Sequence, residues 1–315
     1  MLSSSLEEDA TNIKKTLFEE ENFANKEKMI IDIIKKYDLK HRLLLRITYD
    51  KLFPENNFLS DISTKLSLSV QFCNLVTTLF MEQVDLDCIE FKKFFDKKSS
   101  SNKNLIIESL TLNPFWYTQK LIRTYALLYK KDLKSEINKH FPENMRDALI
   151  TSMNTKRNDI HKKIDIDEIN EKVKLLINTN PNELLKNNEI FINLFALPSP
   201  KELILIARIY KEKKGEHFLK LIENKLNEVE AMFLKEVIYN TCRPSEYFAY
   251  KLNDCIKGVE VDSNNINRIL VMRNEIDIKE IRNFYQKFYN EDFCNEISKI
   301  FNGAYKDLLI YLYSK

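Results

Sequence analysis

Glycine is almost absent from this chain. Only three glycines occur in 315 residues, Gly215, Gly258 and Gly303, whereas an average usage of ~7% would give about 22. The glycine-rich turns that bind phosphate groups, with the patterns GxxxxGK[ST] and GxGxxG, are not found. There is also no GxSxG motif and no ordered Ser/His/Asp set. The sequence therefore does not support an enzyme.

Clustered metal ligands are also lacking. The chain has five cysteines and four histidines, with no CxxC and no HxxxH pair, so zinc-ligand spacing is not present. We interpret the cysteines as small apolar side chains of the core in a reducing compartment. They are Cys73, Cys88, Cys242, Cys255 and Cys294.

An excess of one charge and long apolar runs are missing as well. Lys and Arg number 49 and Asp and Glu 47, for a net charge of +2, which argues against a nucleic-acid partner because such binding needs a broadly basic surface. No run of ~18 apolar residues occurs, so no helix is expected to span a membrane. The opening residues MLSSSLEEDA have no basic start and no apolar core, so we expect no signal peptide and a cytoplasmic protein.

What the sequence does contain is helical periodicity in a fourfold repeat. Apolar residues spaced i, i+3, i+4 and i+7 predict amphipathic helices, and the alternation typical of strands is not found. One apolar pattern occurs four times, and its aromatic member recurs at intervals of 76, 81 and 79 residues, which indicates a repeated helical unit. Its members are an aromatic at Phe53, Tyr129, Tyr210 and Tyr289, a large apolar residue at Phe58, Leu133, Phe218 and Phe293, and Ile62, Ile137, Ile222 and Ile297.

The segment from Tyr250 to Lys315 resembles the fourth repeat of an annexin, and the same pattern extends over nearly the whole chain. The resemblance, which includes the annexin-like alpha-giardins, implies an all-α fold of four repeats, each of about five helices, forming a curved disc. Repeat 1 is expected to pack with repeat 4, and repeat 2 with repeat 3. The predicted divisions are an N-terminal tail (1–5), repeat 1 (6–80), repeat 2 (81–153), a charged, solvated connector (154–166), repeat 3 (167–241) and repeat 4 (242–315).

The resemblance also implies where calcium would bind. In annexins a Met-Lys-Gly-x-Gly-Thr loop supplies backbone carbonyls, and an acidic residue about 40 positions later supplies a bidentate carboxylate to the ion. The glycines let the carbonyls turn inward at positive φ. None of the corresponding loops here has the Gly-x-Gly pair; they are Asn22–Asn25, Lys97–Ser101, Leu184–Lys186 and Ile256–Val261.

The four distal acid positions are occupied by Lys65, His140, Lys225 and Ile300. None of these side chains offers a carboxylate, and a lysine repels a cation outright. We therefore predict that no calcium site is intact. The closest remnant is in repeat 4, where single carboxylates leave weak coordination open; it consists of Lys257, Gly258, Val259, Glu260 and Asp262.

An alternative is that this register is wrong by a few residues and that nearby acids are the true ligands. Asp61, Glu136 and Glu296 each lie directly before a recurring isoleucine. This matching position favours a place in the repeat pattern over a role as a displaced ligand.

Lysines at these loops predict a different contact with a membrane. A lysine near an anionic leaflet contributes about 1 kcal/mol, and the predicted membrane-binding residues are Lys97, Lys98, Ser100, Lys103 and Lys257. The alternative is a solvated helix end whose lysines complement the helix dipole. Elsewhere, Trp116 is expected to pack at a corner between helices, with a membrane anchor as the alternative, and Arg273 to pair with a carboxylate or a helix end.

These observations predict a peripheral scaffold on anionic phospholipid membranes, with binding that is calcium-independent or weakly calcium-dependent. No cofactor is expected, and any calcium binding should be weak. The alternative is a cytoskeletal or protein-assembly component without lipid contact, a role taken by alpha-giardins, which are annexin-like chains with degenerate sites.

Overall fold

Short polar side chains begin the helices of this chain, and left-handed residues end several of them. Asn57 and Asp132 each accept a hydrogen bond from the backbone N–H three residues further on, which satisfies a donor that the first helical turn leaves free. Lys130, Gly215 and Asn290 adopt left-handed conformations at the ends of equivalent helices in repeats 2, 3 and 4. Such a residue stops a helix and turns the chain.

The computed structural model describes residues 2–96 and 103–315, and every regular element in these ranges is helical. The all-α prediction is confirmed. Repeat 1 forms five helices: α1 (Leu2–Glu19), α2 (Phe23–Lys36), α3 (Leu39–Leu52), α4 (Phe58–Lys65) and α5 (Val70–Leu79). Repeat 2 also forms five: α6 (Gln83–Phe95), α7 (Lys103–Leu112), α8 (Phe115–Tyr129), α9 (Leu133–His140) and α10 (Glu143–Asn154).

Repeats 3 and 4 follow the same plan, except that the second helix of repeat 3 is broken. Repeat 3 contains α11 (Ile166–Asn178), α12 (Glu183–Lys186), α13 (Asn188–Phe191), a π-helical segment (Ile192–Ala196), α14 (Pro200–Lys214), α15 (Phe218–Lys225) and α16 (Glu228–Cys242). Repeat 4 contains α17 (Pro244–Lys257), α18 (Ser263–Arg273), α19 (Ile278–Tyr289), α20 (Phe293–Ile300) and α21 (Gly303–Ser314).

The helices form two compact units. One consists of Met1–Gln83 and Ser245–Lys315, and the other of Val84–Pro244. The first unit combines repeat 1 with repeat 4 and the second combines repeats 2 and 3, which is the pairing expected from the sequence. The finer repeat boundaries remain predictions.

Most of the recurring apolar residues lie in the cores of the repeats: the large apolar residues and the isoleucines are buried, whereas the aromatics Phe53, Tyr129 and Tyr289 are partly exposed. In repeat 1 the ring of Phe58 packs 5.3 Å from that of Tyr49 and 4.7 Å from that of Phe80. In repeat 4 Phe293 packs in the same way on Tyr285, at 5.4 Å. Buried aromatic pairs contribute packing energy beyond the area that they remove from water, so the pattern in the sequence marks the centre of each helical unit.

The connector predicted to be solvated is attached to repeat 3 through Arg157. The guanidinium Nη1 donates to the carbonyl oxygens of Phe195, at 2.6 Å, and Pro198, at 2.9 Å, and Nη2 donates to Thr241 Oγ1 at 3.2 Å. The next residue, Asn158, donates its N–H to Leu197 O at 2.7 Å. The connector is charged, as the sequence shows, but it supplies donors to carbonyls at the end of the π-helical segment.

Two other side chains can be compared with their predictions. Arg273 forms a two-pronged ion pair with Asp277, with N···O distances of 2.7 and 2.5 Å, so its structural role is confirmed. Trp116 is 67% exposed at the start of α8, and the prediction that it packs at a corner was wrong. It contacts the Tyr117 ring edge-on, and most of the indole faces outward.

None of the single helices in the described ranges is long and apolar enough to cross a membrane. One bent pair, Asn188–Ala196 with Pro200–Lys214 at 103°, meets the criterion of length and composition alone.

Candidate functional site

The four distal positions are structurally equivalent. Each is the last residue of an eight-residue helix, the fourth helix of its repeat. The four helices α4, α9, α15 and α20 end at Lys65, His140, Lys225 and Ile300 respectively. The alignment of the repeats therefore has the same register in all four.

The three nearby acids have partners that explain their recurrence. Each is the fourth residue of its short helix and is buried. Asp61 accepts the Tyr49 hydroxyl at 2.7 Å, and Glu136 pairs with lysines 131 and 139 at 3.5 and 3.4 Å. Glu296 accepts from Lys257 and from Lys299. Each of these carboxylates bonds to side chains of its own repeat. This favours the interpretation that the three acids belong to the repeat pattern over the alternative that they are calcium ligands in a shifted alignment.

In repeat 1 the ammonium of Lys26 lies between the end of α1 and the distal position, Lys65. The predicted loop is one helical turn out of place: Asn22 caps α2, and Phe23 to Asn25 are its first residues. In the next position, Lys26 is only 7% exposed. Its Nζ donates to Leu17 O at 2.9 Å and to Lys65 O at 3.1 Å.

A second link joins the same two segments of repeat 1. The Ser67 hydroxyl, just after α4, donates to the Glu27 carboxylate on α2. Beside it, Leu68 and Val70 are largely exposed. The distal Lys65 side chain extends over the ring of Phe18, with Nζ 4.5 Å from the ring centre. The position at which annexins have an acid therefore provides only a backbone carbonyl here, and an ammonium already occupies it.

Most of the predicted loop of repeat 2, including Lys97, Lys98 and Ser100, lies outside the described residues. Lys103 begins α7 and is half-buried, with its Nζ 5.9 Å from the centre of the Phe141 ring. Burial lowers the pKa of Lys103 below its usual range, because removal from water disfavours the charged form.

The distal residue of repeat 2 also packs against its own repeat. The distal His140 donates Nδ1–H to Glu136 O at 2.8 Å, and its ring packs 5.0 Å from that of Phe95. The imidazole is therefore held by its own helix and by an aromatic neighbour rather than presented to an ion.

The predicted loop of repeat 3 is not a loop. Leu184 to Lys186 belong to the single turn α12, and both leucines are buried. The turn after α11 lies at residues 179–182 instead. The distal Lys225 is exposed. The prediction failed because the chain forms a short helical turn, with Asn182 as its N-cap and Asn187 as its C-cap, where an open loop was expected.

Repeat 4 has a true loop, from Gly258 to Asp262, between α17 and α18. The glycines at positive φ are Gly215 and Gly303, so Gly258 does not provide the left-handed turn that its alignment suggested. The Asp262 carboxylate caps α18 by accepting from Asn265 N at 3.0 Å. The other acid of this loop, Glu260, is exposed and does not cap a helix.

Two backbone contacts and two exposed valines complete this loop. Gly258 N donates to Asp254 O at 3.0 Å, and Asp262 N donates to Cys255 O at 2.9 Å. These bonds use carbonyls at the end of α17. Val259 is fully exposed and Val261 is partly exposed, so the tip of the loop is apolar.

Lys257 is not a free lysine at this loop. Its Nζ pairs with Glu296 and lies 3.3 Å from Glu291 Oε2. The hydrogen bond from Lys257 lowers the pKa of Glu296, and the same contact raises the pKa of Lys257. Two carboxylates beside this ammonium reduce its attraction for an anionic surface, so Lys257 is a weaker candidate for lipid contact than the sequence implied.

The sequence reading missed Lys26. Its position in the pattern was visible: Lys26, Ile30, Ile33 and Ile34 share the buried face of α2. A lysine on an apolar stripe indicates a buried cation with an oxygen partner. The carbonyls that bind it come from two other helices and could not be identified from the stripe alone.

No group of three or more His, Cys, Asp and Glu side chains able to hold a metal ion occurs in the parts of the chain that the structure describes. Backbone carbonyls do converge, and at repeat 1 they converge on an ammonium.

The chain is similar to annexins in sequence and in fold. The Annexin family model matches residues 247–312. Annexin A3 of Mus musculus is 24% identical over 302 residues, covering 96% of this chain and 91% of that protein. The solved structure of annexin III has a TM-score of 0.87 at 23% identity, covering 98% of this chain and 94% of that one. Calcium-bound alpha-14 giardin has a TM-score of 0.75 at 17% identity, covering 99% of each chain.

Proposed function

We propose that this chain, which resembles annexins in sequence and in fold, is a member of that family and a peripheral scaffold that binds anionic phospholipid membranes without requiring calcium. The observation that supports this most directly is the set of residues at the ends of α4, α9, α15 and α20. Two lysines, a histidine and an isoleucine replace four carboxylates there. A calcium ion at these positions would have only neutral carbonyls and water as ligands, too few for micromolar affinity.

Without a bridging ion, electrostatic attraction must supply the contact with the membrane. Lys97 and Lys98, which are outside the described residues, come between α6 and α7 in the sequence. Each lysine near an anionic leaflet contributes about 1 kcal/mol. Such attraction decreases as salt shortens the Debye length from ~10 Å at 0.1 M toward ~3 Å at 1 M.

A liposome co-sedimentation series tests the proposal. Vesicles with an increasing fraction of phosphatidylserine are mixed with the protein, either with a chelator or with 0.1 mM calcium as a chosen, roughly physiological upper level. We expect binding to increase with the anionic fraction, to be equal in both conditions and to fall at high salt. Binding that the chelator abolishes would show that a calcium site was overlooked.

A charge-reversal pair identifies the contact surface. Lys97→Glu with Lys98→Glu should weaken binding by about 30-fold, because two contacts of about 1 kcal/mol each are removed. The matched control is Lys279→Glu with Lys287→Glu, which changes the net charge equally at two exposed positions of α19. Equal losses in both variants would indicate a general effect of net charge rather than this turn.

The absence of binding to any vesicle, with or without calcium, would favour the other class, a cytoskeletal or protein-assembly component. The contact would then be sought by cross-linking the intact chain to assembled filaments.

A further inference from the structure

We propose that the ammonium of Lys26 is a built-in cation that takes the place of a bound metal ion in repeat 1 and holds the first turn against the distal position in every molecule. The inference deepens the proposed function, on which its consequence at a membrane rests. It states how one membrane-side junction of an annexin-type repeat can remain ordered without calcium.

The site has the composition of a cation site. Leu17 lies in the last turn of α1, and Lys65 is the last residue of α4. Carbonyls in these positions have no partner within their own helix, and each lies at the negative end of a helix dipole. Both accept from the same nitrogen, at 2.9 and 3.1 Å. Two helix ends therefore converge on one positive charge.

The burial of Lys26 excludes the ordinary explanation of a surface lysine. Only 7% of the residue is exposed, and a buried ammonium is costly unless its protons are bound. Its stem follows the apolar face of α2, and its head reaches the two carbonyls. The adjacent bond from Ser67 to Glu27 joins the same segments, so the junction is built around this cation.

Repeats 2 and 4 do not have this arrangement. In repeat 4 the ammonium of Lys257 also connects the first helix with the fourth, but it binds carboxylates. In repeat 2 Lys103 faces the Phe141 ring. Only Lys26, among these three, binds two backbone carbonyls, one of which belongs to the residue that replaces the annexin acid.

A tethered cation differs from a metal ion in one respect that can be measured. Its local concentration is fixed by the chain, so the order of the junction does not depend on calcium. Its charge also repels a divalent ion from the same carbonyls. We expect amide hydrogen exchange at residues 20–25 and 66–69 of the intact protein, without lipid, to be identical in calcium and in a chelator.

The deciding variant is Lys26→Met, which keeps an apolar stem and removes the charge. Exchange should accelerate by at least about tenfold in both segments, because opening either segment no longer requires breaking the hydrogen bonds of Lys26. The matched control, Lys28→Met, alters an exposed lysine of the same helix and should leave both segments unchanged. Protection that persists in either segment of the Lys26→Met protein overturns the proposal.

A second measurement needs no variant. An acylating reagent applied to the native chain should modify Lys28 at least about tenfold faster than Lys26, because a buried, hydrogen-bonded amine is shielded from the reagent until the structure opens locally. Equal rates would place Lys26 outside the carbonyl pair and overturn the proposal even if Lys26→Met does not fold.

The replacement itself is tested by exchanging the two charges. In Lys26→Ala with Lys65→Glu the tethered cation is removed and an acid returns to the distal position. Millimolar calcium should then slow exchange at residues 20–25 and 66–69, which it does not do in the unaltered protein. No calcium response would mean that the position is not a cation site. Because lipid is absent throughout, these results do not depend on the outcome of the liposome series.

Discussion

Burial determines the chemistry of the cysteine thiols. All five are free; Cys73, Cys88 and Cys255 are buried, in agreement with their interpretation as core residues, whereas Cys242 and Cys294 are only partly buried. Burial raises the pKa of Cys88 and of Cys255 to about 12, and that of Cys242 to about 11. The thiolate is the nucleophile, so these residues should be inert at neutral pH.

We expect iodoacetamide at pH 8 to label Cys88, Cys242 and Cys255 slowly in the native protein. With a pKa near 11 to 12, only about one thiol in 10³ to 10⁴ is ionised at that pH. Labelling should accelerate in urea, which restores the ordinary pKa. Peptide mass spectrometry of native and unfolded samples measures both rates, and rapid native labelling of Cys88 would contradict the assigned burial.

The Glu296 ion pairs give a pH dependence with a defined sign. Lys257 and Lys299 lower the pKa of Glu296 below its ordinary 4.5, so its stabilisation is complete above that value and is lost as the pH falls through the lower, folded pKa. Lys257 has a raised pKa, above 10.5. Its contribution is complete below 10.5 and is lost as the pH rises through the folded value.

Glu296→Gln should therefore lower the free energy of unfolding at pH 7, and the difference from the unaltered protein should shrink as the pH falls below 4.5. Urea unfolding at intervals between pH 3 and 7 measures this convergence. A difference that stays constant over the whole range would mean that the carboxylate charge is not what stabilises the fold.

Among the helices, the broken second helix of repeat 3 is the element that departs most from its neighbours. Its π-helical segment is followed by Pro198, Ser199 and Pro200, and Ser199 forms a capping box with Glu202 that starts α14. In this region the carbonyl oxygens of Phe195 and Pro198 accept hydrogen bonds from the guanidinium of Arg157. Burial lowers the pKa of Arg157 to about 10, which still leaves it charged at neutral pH.

Arg157→Met should destabilise the unit formed by Val84–Pro244. It removes hydrogen bonds from a charged donor, each worth about 1.5–3 kcal/mol, and leaves the carbonyls of Phe195 and Pro198 without that partner. Lys156→Met is the control, since Lys156 is exposed. Thermal unfolding compares the two variants, and equal melting temperatures would mean that the connector is not held by Arg157.

Helix number and helix phase were predictable, because apolar residues recur with the helical period and the repeat interval. Turn positions were predicted less well. Asn22 was assigned to a loop, but its side chain caps α2, and Leu184 was assigned to a loop that a single helical turn replaces. The partners of Lys26 and Arg157 are backbone carbonyls of distant segments. Every residue has such a carbonyl, so the residue types do not show which ones accept.

At the scale of the whole molecule, the proposed loss of calcium sites predicts a stability that calcium does not change. A ligand that binds only the folded state adds RT ln(1 + [L]/Kd). With a Kd above about 1 mM, calcium at about 0.1 mM adds less than about 0.06 kcal/mol. Thermal unfolding with that calcium level or with a chelator should give the same melting temperature, and a shift of several degrees would contradict the site census.

The division of the chain between its two units has a consequence for the order of folding during synthesis. Val84–Pro244 is continuous in sequence, so this unit can complete its core while the ribosome is still translating. The other unit joins Met1–Gln83 to Ser245–Lys315, and the earlier part must wait for residues made last. The N-terminal helices therefore spend most of translation without their neighbours from repeat 4, and this is the interval in which chaperones would bind them.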